Sequence, residues 1–374
     1  MDKLKILAIN WRDMENPEAG GAEVHLHEIL KHLGGWGHEV AQISARFRGG
    51  EREKEIDGVR VMRTGHWFDA NFSLPLFARK HLQSTRYDVI LEDINKIPFF
   101  MPLYTGIPVL PVIPHLFGTT VFRETNRLIG SYVVLAEKLI PRVFKDSRFM
   151  VISPSTREDL AARGIDRDRI SVVLCGLDHD RFYHAGLDRF EEPTVVHLGR
   201  LRKYKGVEIA LRAVKIAREK IENLRFVIIG DGPYREELER KVSELELEDT
   251  VRFKGYIDFD ELVDYLNRAH LLVNPSPKEG WGLTVVEANA CGMPVVASDS
   301  PGLRDSVIHG ETGFLVPHGD ETSFADRIIE LIEDGRTWQK LSRGGIERVR
   351  SLTWERCARE TETVIREFLA GRRS

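Results

Sequence analysis

Short apolar segments alternate with longer segments of helical periodicity along the whole chain. The apolar segments are three to six residues long, and turn residues follow most of them. Such runs are typical of strands buried on both faces, and their alternation with helices predicts parallel sheets covered on both sides. The first series of expected strands comprises 4–9, 39–44, 59–63, 89–92, 109–113, 149–152 and 171–174. The second series comprises 195–198, 225–229, 251–253, 271–274, 295–297 and 314–316.

A polar, turn-rich segment over 176–193 separates the two series of strands. A chain of 374 residues is too long for one ordinary core and fits two domains of ordinary size. Each series predicts a doubly wound domain, in which ligands bind beyond the carboxyl ends of the strands. We therefore expect an N-terminal domain over 1–176, a C-terminal domain over 177–352 and a charged helix within 353–374.

Composition and charge restrict the class of protein. Apolar residues make up 42% of the chain and charged residues 30%, which is typical of a globular protein. The net charge of -4 gives no general reason to expect nucleic-acid binding. The three cysteines are widely spaced, which favours a reducing compartment over a disulfide framework or a metal cluster. The first apolar segment is too short for a signal peptide, and no apolar run approaches bilayer length. We expect a cytoplasmic protein, with attachment to the inner face of the cell membrane left open.

The segment 279–287 is the most informative part of the sequence, because two carboxylates flank a small-residue turn there. Gly280 and Gly282 lack a Cβ, so the backbone can approach a ligand closely. The turn opens a predicted helix, whose free N–H groups and dipole favour phosphate. Glu279 can bind sugar hydroxyls before the turn, and Glu287, two helical turns further on, can bind a ribose. Taken alone, most glutamate pairs at this spacing are solvated, and that alternative stays open.

A basic turn follows the first strand of the second series. Its sequence is Gly199-Arg-Leu-Arg-Lys-Tyr-Lys-Gly206, and Arg200 and Lys205 can present two cations to a diphosphate. Such cations would stabilise the charge that develops on the diphosphate as a sugar leaves. An ordinary basic surface loop explains the turn equally well without its context.

Glycine-rich turns end several other predicted strands. Gly20 and Gly21 open a helix and are compatible with a nearby phosphate, although the GxGxxG dinucleotide motif is absent. Gly230 lies in a Gly-Asp-Gly-Pro turn, and Tyr256 follows a further strand end. Each of these turns is common in proteins without any ligand.

Three Asp-x-Asp triplets occur, and such triplets bind a metal in some enzymes. They lie at 166–168, 178–180 and 258–260, where capping and turn roles explain them. We therefore expect no metal site, because Arg200, Lys205 and the helix terminus can supply the positive charge.

This ordered series of motifs resembles family 4 of the retaining glycosyltransferases, which have the GT-B fold. The resemblance covers nearly the whole chain and is more specific in its second half. It implies an α/β protein of two doubly wound Rossmann-like domains that face each other across a cleft. It also implies that the last helix, within 353–374, crosses back to the N-terminal domain.

The resemblance implies the roles of the site residues. Arg200 and Lys205 would hold the diphosphate, Glu279 the sugar hydroxyls, and His115 the sugar from the other domain. The family often has His-Asp where this chain has His115-Leu116. The residues assigned to catalysis are His115, Arg200, Lys205 and Glu279. The residues assigned to donor binding are Gly20, Gly21, Gly230, Tyr256, Gly280, Trp281, Gly282, Leu283 and Glu287.

By the same resemblance the protein is a retaining glycosyltransferase that needs neither cofactor nor metal. It would move a hexose from a UDP- or GDP-sugar to a hydroxyl of a glycan, a glycolipid or a small molecule. The acceptor would lie against the first domain, where the loops 10–13 and 92–96 are candidates, and ordinary charged loops are the alternative. Contact with a membrane surface is left open, and nucleic acid is not expected as a partner.

Two other classes of function remain open from sequence. One is a GT-B enzyme of different chemistry, such as a sugar-nucleotide epimerase, which would release nucleotide without an acceptor. A phosphorylase would need pyridoxal phosphate on a lysine, and no lysine is marked for it. The other class is a non-catalytic sugar-nucleotide-binding module, against which the intact Arg200, Lys205, Glu279 and Glu287 argue.

Overall fold

A computed structural model describes residues 2–123 and 125–372. The chain divides into two compact units, one of residues 1–176 with 354–374 and the other of residues 177–353. Both units are layered α/β structures built on a predominantly parallel sheet.

The N-terminal unit contains a sheet of eight strands in the order β3-β4-β2-β1-β5-β6-β7-β8. Its strands are β1 Lys5–Ile9, β2 Glu39–Ala45, β3 Glu53–Ile56, β4 Val59–Thr64, β5 Val89–Asp93, β6 Val109–Ile113, β7 Phe149–Val151 and β8 Ile170–Val172. The helices of this unit are α1 Gly21–Gly35, α2 Ala70–His81, α3 Arg127–Val143, α4 Pro154–Ala162 and, from the end of the chain, α12 Trp354–Ala370. Within the unit α12 packs beside α1, where the rings of His25 and Trp354 lie 6.2 Å apart.

The C-terminal unit contains six parallel strands in the order β11-β10-β9-β12-β13-β14. Its strands are β9 Thr194–Leu198, β10 Arg225–Ile229, β11 Val251–Gly255, β12 Leu271–Asn274, β13 Val295–Ser298 and β14 Gly313–Val316. Its helices are α5 Val207–Ala217, α6 Arg235–Glu244, α7 Phe259–Arg268, α8 Leu283–Ala290, α9 Leu303–Ser306, α10 Glu321–Glu333 and α11 Gly335–Val349. Central strand residues such as Val195, Phe226 and Val296 pack against α5 and α10 in one fully buried core.

Every strand expected from the apolar pattern is present, and one strand was missed. The missed strand is β3, which pairs antiparallel with β4 at the edge of the first sheet. Its sequence, Glu53-Lys-Glu-Ile56, is polar because an edge strand exposes most of its side chains. Asp57 and Gly58 both have positive φ, as a two-residue hairpin turn requires.

Candidate active site

The basic turn after β9 brings a lysine and a glutamate of the predicted site together. Lys205 lies in a short 3-10 helix, and its Nζ is 2.6 Å from Oε1 of Glu279. The two side chains are only 17% and 15% exposed. Burial alone would lower the pKa of Lys205, but the charge of Glu279 outweighs it and holds the pKa above its usual value. Lys205 is therefore a cation at neutral pH and forms a shielded ion pair with Glu279 beside the turn.

The turn ends at Gly206, where the absence of a Cβ lets the turn lie close to the loop after β12. Gly206 has φ +68 and caps the N-terminus of α5. A Cβ at this position would lie 2.9 Å from the carbonyl oxygen of Pro275, in the loop after β12. The turn that carries Arg200 and Lys205 is thus packed tightly against the loop that leads to Glu279.

The loop over 279–282 ends in a helix whose N-terminus has no side-chain cap. Helix α8 begins at Leu283, and Gly282 with φ +86 precedes it as the N-cap residue. Uncapped N–H groups and the positive end of the helix dipole make such a terminus suited to an anion. The expectation that Glu287 lies two helical turns beyond Glu279 is wrong, because 279–282 is a loop and Glu287 lies in the second turn of α8.

Two neighbours determine how the 279–282 loop is held. Glu279 donates its backbone N–H to the carbonyl of Pro301 at 3.0 Å. A Cβ on Gly302 would overlap the carbonyl of Glu279, so Gly302 is required by packing between two backbone segments. The indole of Trp281 is 2% exposed and its Nε1 has no hydrogen-bond partner among the described residues. The Trp281 side chain therefore presents no surface to a ligand.

Glu287 lies half-buried on α8, and its environment perturbs its carboxyl group. Burial raises the pKa of Glu287 to about 7, although the charge of Arg181 lowers it. No hydrogen bond to this carboxylate occurs within the described part of the chain. Near neutral pH the group is thus divided between its protonated and ionised forms.

The turn at Gly230 packs directly against the backbone of the turn that carries Arg200. A Cβ on Gly230 would overlap the carbonyl of Gly199, and one on Gly232 would overlap that of Leu201. Three backbone hydrogen bonds join the same segments, including one of 3.0 Å from Leu201 N to the Asp231 carbonyl. These glycines therefore have a packing role that does not depend on a ligand. Tyr256, after β11, is 78% exposed.

Two residues beside this site were missed by the sequence reasoning. His197, in β9, contacts the carbonyl of Val273 through Nδ1 at 3.1 Å, and burial lowers its pKa to about 4. Its Nε2 has no hydrogen-bond partner in the part of the chain that is described. The sequence offered one sign of His197, namely a histidine within an otherwise apolar strand. Arg181, whose guanidinium lies 3.8 Å from the Phe259 ring centroid, gave no signal in the sequence.

In the N-terminal unit, the glycine pair opens helix α1 as expected. Gly20 is the N-cap residue and donates its N–H to Oε2 of the buried Glu23 at 2.8 Å. A carboxylate therefore already occupies part of the anion-attracting terminus. Gly20 cannot offer this N–H to a phosphate while Glu23 holds it, which leaves the exposed Gly21 as the more accessible of the two.

The two candidate acceptor loops meet in a buried polar cluster at the ends of β1 and β5. Asn10 donates from Nδ2 to Oδ2 of Asp93 at 2.9 Å, and Asn95 donates to both Asn10 and Glu23. Burial and the charge of Glu23 raise the pKa of Asp93 well above its usual range. One oxygen of Asp93 and one of Asn95 have no hydrogen-bond partner among the described residues. The cluster is thus incompletely satisfied.

Two other acidic residues of these loops are structural. Asp13 is 1% exposed and accepts two hydrogen bonds from Arg63, at 2.7 and 2.8 Å, and one from Ser44. Burial alone would raise the pKa of Asp13, but these hydrogen bonds and the charge of Arg63 hold it below its usual value. Glu92 is fully buried and accepts backbone N–H groups of residues 99–101. Both carboxylates already have their partners within the protein.

His115 follows β6 and is half-buried, with its ring 5.1 Å from that of Phe117. The loop that carries it is held by Glu137 of α3, which sequence reasoning missed. Oε1 and Oε2 of Glu137 accept the backbone N–H groups of Phe117 and Gly118 at 2.7 and 3.0 Å. Arg163 pairs with the same carboxylate at 3.2 Å. Glu137 therefore fixes the loop although the family's aspartate is replaced by Leu116.

The first aspartate of each Asp-x-Asp triplet has a capping or turn role. Asp166, Asp178 and Asp258 each accept a backbone N–H bond from a residue two or three positions ahead. Within 2–123 and 125–372, no group of three or more His, Cys, Asp or Glu residues could hold a metal ion. In the same residues no helix is both long and apolar enough to cross a bilayer.

Two family models match this chain, and together they cover most of it. The model described as Glycosyltransferase Family 4 matches residues 19–181, and the one described as Glycosyl transferases group 1 matches residues 181–348. The chain belongs to the family 4 glycosyltransferases. The family expected from the motifs is thereby confirmed.

Curated relatives and solved structures are also similar to this chain. A D-inositol 3-phosphate glycosyltransferase from Corynebacterium efficiens is 32% identical over 239 residues, which are 58% of this chain and 56% of the relative. The chain thus spans about half the length of such curated relatives. Sucrose-phosphate synthase from Thermosynechococcus elongatus matches with a TM-score of 0.83 at 23% identity, over 99% of this chain and all of that one. Anabaena HepE in complex with UDP-glucose matches with a TM-score of 0.76 at 18% identity, over 98% of this chain and all of HepE. These likenesses confirm the GT-B fold.

Proposed function

We propose that this family 4 glycosyltransferase transfers a hexose from a nucleoside diphosphate sugar to an acceptor hydroxyl, with retention of the anomeric configuration. The observation that carries the proposal is the uncapped N-terminus of α8 beside the Lys205–Glu279 ion pair, with Glu287 in the second turn. An anion site, a cation and two carboxylates are the groups that a diphosphate, a sugar and a ribose need. The complex of HepE with UDP-glucose supports this choice of donor class.

In this proposal the diphosphate binds between the turn amides of 280–283 and the cations Arg200 and Lys205. Lys205 carries three N–H donors, so it can hold Glu279 and a phosphate oxygen at the same time. Glu279 would then accept hydroxyls of the sugar, and Glu287 those of the ribose. His115 is assigned to the transferred sugar, as the family resemblance implies.

The reaction would proceed by substitution on the face from which the diphosphate leaves. The bond between the anomeric carbon and the phosphate oxygen breaks, and the acceptor oxygen bonds to the same carbon. The acceptor proton passes to the departing phosphate oxygen, so no protein base is required. Arg200, Lys205 and the α8 terminus would stabilise the charge that develops on the diphosphate. We therefore infer that transfer is independent of a metal ion and of any cofactor.

The acceptor is assigned to the N-terminal unit, near the ends of β1 and β5. Asn95 is the most accessible member of the buried cluster there, at 7% exposure, and its side-chain oxygen lacks a partner among the described residues. A hydroxyl of a glycan, lipid-linked sugar or small molecule could supply the missing donor.

A donor panel tests the proposed function. UDP-, GDP- and ADP-sugars should be compared by thermal shift, since a ligand at a hundredfold excess over its Kd stabilises by roughly 2.7 kcal/mol. The preferred donor should then give a glycoside whose anomer matches the donor by proton NMR, and chelator should leave the rate unchanged. A β-glycoside from an α-donor would overturn retention. Full-rate nucleotide release without acceptor would instead indicate an epimerase-like enzyme, and binding without turnover a non-catalytic module.

A further inference from the structure

Lys205 and Glu279 are carried by segments that follow two neighbouring strands of the C-terminal sheet. The turn with Lys205 follows β9, and the loop with Glu279 follows β12. These strands lie side by side in the middle of the sheet, with β10 and β11 on one side and β13 and β14 on the other. Because the chain moves outward in opposite directions from this pair, a crevice opens at the carboxyl ends of β9 and β12, where ligands of such sheets bind. The relative position of these two strand ends therefore sets the relative position of Lys205 and Glu279.

Backbone pairing joins β9 to β12 over two residues of each strand. The register consists of two residue pairs, Val195 with Leu271 and Val196 with Leu272. On its other side β9 stays paired with β10 up to Leu198, and β12 stays paired with β13 up to Asn274. The ladder between the two strands thus ends beyond Val196, while each strand keeps its outer neighbour. The first residue of β9 after the end of this ladder is His197.

The side chain of His197 makes the next contact between these strands. Its Nδ1 lies 3.1 Å from the carbonyl oxygen of Val273, the residue that follows the last paired position of β12. The imidazole is 2% exposed, and burial lowers its pKa to about 4, so the ring is neutral at pH 7. A neutral imidazole has one proton, and a carbonyl oxygen can only accept, so this proton is on Nδ1. His197 therefore donates a buried hydrogen bond from β9 to β12.

The other ring nitrogen of His197 lies towards the turn that carries Lys205. Nε2 is 3.9 Å from the position that a Cβ on Gly199 would take, at the start of this turn. Besides burial, the charge of Lys205 lowers the pKa of His197 and that of Glu279 raises it, so both charged groups lie near the ring. Within the described part of the chain Nε2 has no hydrogen-bond partner, so the polar contact of this side chain is the one through Nδ1.

Two further contacts join the same two segments beyond the strands. The carbonyl oxygen of Pro275, in the loop after β12, would lie 2.9 Å from a Cβ on Gly206. Next to Gly206, Nζ of Lys205 lies 2.6 Å from Oε1 of Glu279. The His197 bond is the contact nearest to the end of the ladder. Its loss would let the segment after β12 shift relative to the turn, and both of the other contacts would change with it.

We propose that His197 is a positioning residue of the donor site, which ties the end of β12 to β9 and so fixes the distance between Lys205 and Glu279. The proposal rests on the function proposed above, in which these two residues bind the donor. The competing role for His197 is that of a buried strand residue that contributes to stability alone. The position of the bond favours the first role, because it lies at the carboxyl ends of the strands, between the last ladder pair and the ion pair.

A second buried histidine provides a matched control at the opposite end of the same strands. His270 directly precedes β12 and accepts, through Nδ1, the backbone N–H of Thr194, the first residue of β9, at 3.1 Å. It is 8% exposed, and burial lowers its pKa to about 4 as well. His270 thus also links β9 to β12, but at their amino ends, away from the donor site. The effect of removing a buried histidine from this pair of strands should therefore appear at both positions, and an effect on the donor site only at His197.

The slow release of nucleotide from UDP-glucose or GDP-glucose, whichever raises the melting temperature more, compares the variants. His197→Leu should lower kcat on the order of 10²-fold, as a small misplacement of the binding groups does, and should weaken UDP binding much less. His197→Asn should stay close to the wild-type rate, because its amide nitrogen takes the place of Nδ1 and keeps the bond to Val273. The control His270→Leu should lower the melting temperature as His197→Leu does but leave kcat unchanged.

The proposal is overturned if the two leucine variants lower kcat equally, if neither lowers it, or if His197→Asn is as slow as His197→Leu. Imidazole 15N NMR of the wild type gives a measurement that does not depend on the folding of any variant. It should show the proton on Nδ1 of His197 and on Nε2 of His270, and a proton on Nε2 of His197 alone would remove the bond on which the proposal depends. If the wild type neither binds nor turns over a sugar nucleotide, the proposed function fails. If it does both and His197→Leu behaves like His270→Leu, only the positioning role fails.

Discussion

Binding of the donor should release a proton from Glu287. Burial raises the pKa of this carboxyl to about 7, and no hydrogen bond within the described residues stabilises its charge. In the proposed complex two ribose hydroxyls donate to the carboxylate. Because hydrogen bonds to the ionised form favour it, the pKa should fall towards the usual value of about 4.3 when the donor binds.

The size of the effect follows from this pKa difference. At pH 6 about nine-tenths of the free carboxyl would be protonated, and almost none of the bound form, so each binding event should release about 0.9 proton. At pH 8 the release should be about 0.1. The Kd should accordingly be about tenfold weaker at pH 6 than at pH 8, which corresponds to about 1.4 kcal/mol.

Titration calorimetry in two buffers of different ionisation enthalpy measures the released proton directly. The ligand should be an intact nucleoside diphosphate sugar, because its diphosphate does not titrate between pH 6 and 8. Glu287→Gln is the control, since it keeps the shape and removes the titration. The reasoning is refuted if wild type and Glu287→Gln show the same pH dependence of Kd, or if no proton is released at pH 6.

Two further predictions concern the lysine that we assign to the donor site and a buried ion pair. Lys205→Ala should lower kcat by a factor of about 10² to 10³, as loss of one charge-stabilising group does. The control is Lys203→Ala, at an exposed lysine of the same turn, which should leave kcat unchanged. Equal rates in the two variants would show that Lys205 is not part of the site. Arg63→Met should cost about 3 to 5 kcal/mol in urea unfolding, against about 0 to 1 for the exposed Arg60→Met, because it leaves the buried Asp13 without its cationic partner. The pKa of Asp13 is lower in the folded protein, so this stabilisation is present above about pH 4 and is lost as the pH falls through the folded pKa. The difference in free energy of unfolding between wild type and Arg63→Met should therefore become smaller in acid.

The strands were predictable because buried parallel strands are continuous apolar runs. The exception, β3, shows the limit of that signal, since Glu53, Lys54 and Glu55 lie at the sheet edge and need not be apolar. The turn residues Asp57 and Gly58 were the signal that could have found it, because an Asp-Gly pair before an apolar run is typical of a tight hairpin.

The sequence indicated candidate residues for the donor half of the site but not the contacts among them. Lys205 and Glu279 were assigned to different groups of the donor, and their ion pair joins residues 74 positions apart. Nothing in either motif indicates that contact. The raised pKa of Glu287 is likewise a consequence of packing around α8, which no spacing of glutamates reveals.

The two units hold the loops at their strand ends by different physical means. The sequence therefore indicates the loop contacts of the C-terminal unit more readily than those of the N-terminal unit. In the C-terminal unit Gly230 and Gly302 let one backbone segment lie directly against another, and a glycine beside a strand end is visible in the sequence. In the N-terminal unit Glu92 and Glu137 are buried and bind the free N–H groups of the loops after β5 and β6. A glutamate on a helix or strand is ordinarily a solvated residue, so its sequence carries no mark of such a role. Loops held by carboxylates therefore become recognisable only when the fold shows which backbone N–H groups would otherwise be buried without a partner.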